Sequence, residues 1–291
     1  MTRKLPPHAK MAHPIVHAHG LFRSLAPGER KQKKLDVTFT IEETSFRFMG
    51  FEPLDSRDLQ VLQAIVALST EGLGNVKGML SDAAPIRSLL ALTGDASSAP
   101  TVAAALTLAK LAETAGFEKN CGFSYQKMRA SLVRLTNVTV LVKKPDFEGS
   151  YHLIAGHDIE SRTGRLSIVL SPLATAAVLG RNGFLSTNMD EVRSLKSGAA
   201  HILHNRLHWI NQGCTRKVGM QTLCSYVYGD GEAPSIVAQR KRQQSVRRAL
   251  AELPGIGWAV VETEPSMFTI SRPARGKTSF RDAKKPEELV S

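Results

Sequence analysis

The sequence predicts an α+β chain of two tandem winged helix-turn-helix domains, with flexible basic arms at both ends. Three observations predict it. The order helix, helix, turn, helix, two-stranded hairpin can be read twice along the chain. Each copy ends on a helix closed by a leucine, Leu135 or Leu253, that runs into a hairpin pattern. The 291 residues also carry a formal net charge of +12, a balance suited to a polyanionic partner.

The elements follow in order. Residues 1–34 hold Arg3, Lys4, Lys10, Arg23, Arg30, Lys31, Lys33 and Lys34 against Glu29 alone, a net +7. With Pro6, Pro7, Pro14 and little apolar period, they read as a flexible basic arm. The first domain is placed at 35–157. It opens on a hairpin, "LDVTFTIEETSFRFMGFEPL", turning at Glu42-Glu43-Thr44. The helix "DSRDLQVLQAIVAL" follows, capped by Asp55 or Ser56. Residues 72–100 read as an insertion. "TVAAALTLAKLAETAG" reads as a helix closed by Gly116, and "SYQKMRASLVRL" as one capped by Ser124. "VTVLVKK", a turn around Glu148-Gly149 and "SYHLIAG" make the wing. Residues 158–186, holding a strand and a short helix, read as a connecting segment.

The second domain is placed at 187–273. "AAHILHNRLHWI" is its first helix and "QTLCSYVYG" a short second one ending at Gly229. The basic helix "SIVAQRKRQQSVRRALAEL" comes third, then a hairpin, "GWAVVET" and "SMFTISRP", turning at Glu264-Pro265. Residues 274–291 read as a disordered tail. Hydrophobic residues make up 42% of the chain, enough for a globular protein. No apolar run reaches membrane-span length, and the N-terminal stretch lacks a signal-peptide pattern. Cys121, Cys214 and Cys224 form no CxxC pair and read as reduced thiols of a cytoplasmic protein.

On a helical wheel, Val246, Ala249, Leu250 and Leu253 cluster on one side of the basic helix, with Gln239 and Gln243 extending that stripe. Arg240, Lys241, Gln244, Arg247 and Arg248 fall opposite, and Arg242 lies toward the apolar side. A solvated face normally mixes charge signs; this one carries a positive excess without spaced acids. One greasy face and one cationic face is what a groove-reading helix needs. Arginine can pair with guanine and glutamine with adenine, so Arg240 and Gln244 are assigned to base edges. Lys241, Arg247 and Arg248 are assigned to phosphates. In the first domain Gln126, Lys127, Ala130 and Arg134 face away from Met128, Leu132 and Leu135 and are assigned the same role. Lys143, Lys144 and Arg272 lie on the two wings, placed for the backbone or a minor groove.

Three patterns suggest chemistry and lack what it needs. His17 and His19 flank a small residue, as in metal-dependent enzymes that nick DNA with a tyrosine. Here they fall in the arm, and Tyr125, Tyr151, Tyr226 and Tyr228 fall where packing residues are needed. His201, His204 and His208 share a helix face, expected to be exposed, without a further ligand nearby. "RGKTS" imitates the end of a phosphate loop without its first glycine. The expectation is a non-enzymatic chain without metal or cofactor.

The stretches "HGLFRSLAPGERKQKKLDVTF", "MDEVRSL", "TLCSYV", "RQQSVRRALAELPGIGWAVVE" and "ISRP" resemble the replication initiator protein C family of IncQ-type broad-host-range plasmids. The resemblance covers residues 19–70 and 124–273 and is poor over 72–123. It implies a protein that binds iteron repeats in double-stranded origin DNA. It also implies that AT-rich DNA is opened there for a plasmid-encoded helicase and primase. The implied DNA contacts are Arg240, Lys241, Gln244, Arg247 and Arg248, with Arg30, Lys31, Lys33 and Lys34 in the matching basic block. A transcriptional repressor of the same fold is the alternative, followed by the nicking enzyme. Self-association is compatible with the sequence, and no membrane partner is expected.

Overall fold

A computed structural model describes residues 5–73, 102–118, 121–160, 162–181, 183–231 and 235–274 of the chain. The insertion assigned to 72–100 and the tail assigned to 274–291 lie almost wholly outside these residues. The described chain is α+β.

Its first part runs β1 (His8–Met11), α1 (His13–His17), α2 (Glu29–Gln32), β2 (Leu35–Ile41), β3 (Thr44–Gly50) and α3 (Ser56–Leu73). It continues with β4 (Ala103–Thr107), α4 (Leu108–Ala115), α5 (Gly122–Thr136), β5 (Thr139–Lys144), β6 (Phe147–His152), β7 (Ile154–Ile159) and β8 (Arg165–Leu170). Then come α6 (Pro172–Val178), β9 (Leu185–Asn188) and α7 (Met189–Ser194). The second part holds α8 (Gly198–Arg206), β10 (Thr215–Gly219), α9 (Met220–Tyr228), α10 (Ile236–Glu252), β11 (Ala259–Glu264) and β12 (Met267–Ser271).

Helix α3 is the axis of the first part. Asp55 Oδ1 accepts the backbone N–H groups of Arg57 and Asp58, satisfying donors that a helix start leaves open. Leu59, Val61, Leu62, Ala64, Ile65, Val66 and Ala67 are all buried, so the helix is covered on several sides. It packs against β1, α4, α5 and, across the seam between the two parts, α8. The antiparallel sheet β2-β3-β5-β6 pairs Val37 with Phe48 and Phe39 with Phe46, and β4-β8-β7 forms a second sheet. In the second part β12 lies between β10 and β11, and α8, α9 and α10 close over that sheet on Leu203, Leu223, Val246, Trp258 and Ile270.

Several expectations are corrected. The segment 1–34 is not a flexible arm: from residue 5 it is built into the fold. β1 pairs with β9, His8 opposite Asn188, and Ala9, Met11, Ile15, Val16, Leu21 and Phe22 are buried. Scattered apolar residues between basic ones supply that anchorage, and the partner strand is far away in sequence. Residues 103–107 are strand rather than helix, because pairing with β8 overrides alanine's helix preference; α4 begins at Leu108 with Thr107 Oγ1 as its cap. Helix α5 starts at Gly122 after Cys121, not at Ser124. The first wing turns at Pro145-Asp146 instead of Glu148-Gly149, where proline presets the turn dihedral. Residues 158–186 are no linker: Leu166, Ile168, Leu170, Ala174 and Val178 belong to the first core. Met189 and Val192 join that core too, and the second core begins at Leu195.

The seam is polar and close. A Cβ added at Gly198 would come within 2.5 Å of Ser56 Oγ, so any side chain there would have to push the Ser56 hydroxyl aside where α8 approaches α3. Gln63 Nε2 donates to Asn205 Oδ1 (3.3 Å). The Glu191 carboxylate accepts from His204 Nε2 (2.8 Å) and Trp258 Nε1 (3.4 Å). Arg206 donates to the carbonyls of Val16 and His17, and Ser24 N–H to that of Val227. Thus the N-terminal segment fastens the second part to the first.

Candidate nucleic-acid interface

Helix α10 starts because Ser235 Oγ accepts the N–H of Ala238 (3.1 Å). It docks through Val246, Ala249 and Leu250, all buried, and continues into a 3-10 turn, Leu253–Ile256, ending in buried Trp258. Glu252, the acid near its end, accepts the N–H groups of Lys196 (2.7 Å) and Ser197 and so caps α8. Arg240, Lys241, Gln244, Arg247 and Arg248 are all exposed. Among the described residues, no ion pair engages Arg240, Lys241 or Arg248. Arg247 differs: its guanidinium meets Glu262 at 2.5 Å and lies over the Phe268 ring, tying the helix to the β11–β12 hairpin. Arg242 is structural, donating to the Gly231 carbonyl (2.9 Å) and stacking on Tyr228. Gln239 does not extend the core stripe; it is exposed, and with half-buried Gln243 it lines a cleft between α9 and α10.

The first part is less cationic than expected. Gln126 and Ala130 are exposed on α5, and Lys127 holds its ammonium 3.5 Å from the Phe123 ring centroid. Arg134, assigned to DNA, faces inward: its Nε and terminal nitrogen donate to Asp58, whose side chain is 0% exposed. Arg30 is likewise committed, to Asp55 (2.5 Å), Asp58 and the Pro53 carbonyl. Arg272 donates to the carbonyls of His208 and Ile210 and stacks on Trp258. These three assignments are corrected. A cation's sign is legible in sequence, but the buried acceptor that claims it is not.

Lys143 and Lys144 are exposed beside the tip of the β5–β6 hairpin. Lys31 and Lys34 are exposed, and Lys33 pairs with Glu29 at 3.2 Å. The other hairpin is acidic near its tip, since β11 exposes Glu262 and Glu264. Sequence reading missed Arg129, exposed on α5 three residues after Gln126, and Arg216 and Lys217 on β10. The spacing to Gln126 was the available signal for Arg129.

The histidine patterns resolve differently from expectation. His19 Nδ1 meets Asp230 (2.8 Å) and its Nε2 the Ser225 carbonyl (2.9 Å). His17 instead packs beside His13 and Phe39, so the pair does not converge. His201, His204 and His208 are buried rather than exposed, because their helix lies between both cores. No cluster of three ligand-type side chains suited to a metal is found among the described residues.

Residues 5–274 match the replication protein C (RepC) family, nearly the whole chain. The chain belongs to that family. No curated protein matches it. Two solved structures of RctB domains 2 and 3 share the fold, at TM-scores of 0.57 and 0.56 with 13% and 12% identity. They cover 86% and 88% of this chain, and 94% of each RctB chain. The Pi initiator protein in complex with iteron DNA superposes at TM-score 0.47 and 15% identity, over 74% of this chain and 89% of its own. No described helix of this RepC family member is long and apolar enough to cross a membrane.

Proposed function

We propose that the chain is a plasmid replication initiator that binds iteron repeats in double-stranded origin DNA. It does so through two winged helix-turn-helix units, one centred on α10 and one on α5. The observation that carries this reading is the face of α10: four exposed residues, Arg240, Lys241, Gln244 and Arg248, on a helix whose other side is locked into a core. Membership of the replication protein C family supports it. Arg240 and Gln244 read base edges; Lys241 and Arg248 hold phosphates. Lys143, Lys144, Lys31 and Lys34 add backbone contacts. Binding to successive repeats bends the duplex and loads strain into weak AT steps, which open for the helicase and primase. No catalytic group is required.

The test is replication of a plasmid carrying only the origin, with the protein supplied in trans, together with footprinting on that origin. Protected repeats beside a melted AT-rich tract are expected; protection without replication would favour a repressor. Arg240→Ala is expected to weaken specific binding by about 1–3 kcal/mol and to relax discrimination at one base pair. Unchanged selectivity among repeat variants would return Arg240 to the phosphates.

A further inference from the structure

We infer that Val237 reads the methyl group of a thymine in the bound duplex and so fixes one base of the recognised sequence. The inference rests on α10 being the helix that enters the major groove. The apolar residues that hold α10 in place, Val246, Ala249 and Leu250, are at most 2% exposed, whereas Val237 is 61% exposed. At 100° per residue it stands within about 20° of both Gln244 and Arg248. It also lies one turn before Lys241. It therefore occupies the middle of the cationic face, at that face's N-terminal end.

Neither helix propensity nor solvation explains a valine there. A branched side chain loses rotamer freedom in a helix, and an alanine or glutamate would serve a solvated face better. Its neighbour Ile236, 70% exposed, has another position: it lines the cleft against α9 with Met220 and Cys224. Val237 has no such wall. What a major groove offers an apolar side chain is the C5 methyl of thymine; the other groups on the base edges are hydrogen-bond donors and acceptors. The first turns of a recognition helix lie nearest the bases, and Val237 is in the first turn. Burying a branched side chain against that methyl recovers the hydrophobic stabilisation that water denies it.

The test uses the full-length chain. Selection from a pool of randomised duplexes gives the bound sequence, and each thymine in it is replaced in turn by deoxyuridine, which removes the methyl and leaves the pairing edge intact. The wild-type chain is expected to lose about fourfold in affinity at one position, the equivalent of one buried methyl group. Val237→Ala is expected to abolish the difference at that position alone, and Ile236→Ala to preserve it. Val237→Ala puts a stronger helix former on an exposed site, so the fold is retained. A selected sequence with no methyl-sensitive thymine, or the same sensitivity in Val237→Ala, overturns the assignment while leaving the DNA-reading helix in place. Failure to select any sequence overturns both.

Discussion

Replacing Arg134 by alanine is expected to lower the stability of the fold by about 3–5 kcal/mol, the usual cost of removing one partner of a buried ion pair. The affinity of the folded fraction for DNA should change little. Asp58 is the reason. Its carboxylate is wholly buried at the start of α3, and Arg134 donates to both of its oxygens at 2.8–3.2 Å. Arg30 at 3.4 Å and the Asp55 N–H at 2.9 Å complete the shell. Burial and the neighbouring Asp55 push the Asp58 carboxyl above its usual range, against the pull of Arg134. Without that guanidinium it rises further. A carboxyl whose folded pKa exceeds its unfolded one destabilises the fold above both values, and the penalty is relieved as pH falls through the folded value. The gap between variant and wild type should therefore narrow as pH is lowered from about 7 toward the ordinary aspartate range near about 4. Denaturant titrations of both proteins across that range provide the check. Changing both partners, as in Asp58→Asn with Arg134→Met, should recover part of the loss. Weaker DNA binding at unchanged stability would put Arg134 back on the nucleic acid.

Arg134 also shows where sequence reading reaches its limit. On a wheel it shares a face with Gln126, Lys127 and Ala130, and nothing local distinguishes it from them. The acid that claims it stands 76 residues earlier in the chain. Arg272 and Arg30 fail for the same reason, since their acceptors are backbone carbonyls and carboxylates brought near only by folding. Helix α10 succeeds because its evidence is local. Its apolar period, serine cap and sign-biased outer face all lie within about five turns of one helix.

The fold divides along the same line. Hairpins β2–β3 and β11–β12 and the helices α3, α8, α9 and α10 are written in short-range alternation, caps and closing glycines. β1 and β4 are not. β1 is four residues among basic neighbours and takes its structure from β9. β4 is alanine-rich and extended only because β8 lies beside it. In the N-terminal segment the positive charge masks a buried apolar set. Its lysines and arginines are spaced so that Met11, Ile15 and Leu21 can be buried while most of the cations stay in water or find partners.

The seam between the two parts should make the chain sensitive to acid. His17, about 4 instead of the usual 6.5, is pulled down by burial and by the charge of Arg206. Burial holds His208 well below 6.5, and it lowers His201 despite the carbonyls facing that ring. His208 Nδ1 donates to the His204 carbonyl at 2.7 Å, and its Nε2 is buried without a partner, the arrangement of a neutral ring. A histidine with a folded pKa below its unfolded value gives stability that is complete above the unfolded value. That stability is lost as pH falls toward the folded one. Each ring that stays neutral should cost roughly 2 kcal/mol of stability between about pH 7 and about pH 5. His208 and, discounted for its partial exposure, His17 would together remove a sizeable part of the stability of an ordinary domain. His208→Gln is expected to reduce the slope of stability against pH by one proton's worth. Charge on His208 would appear beside Arg272 and His204, and charge on His17 beside Arg206, so the parting of α8 from α3 should precede loss of either core. Hydrogen exchange at mild acid should then expose the amides of α8 before those of β5 or β12. A stability that is flat over this range would mean that the seam histidines take up protons as readily in the folded chain as in the unfolded one.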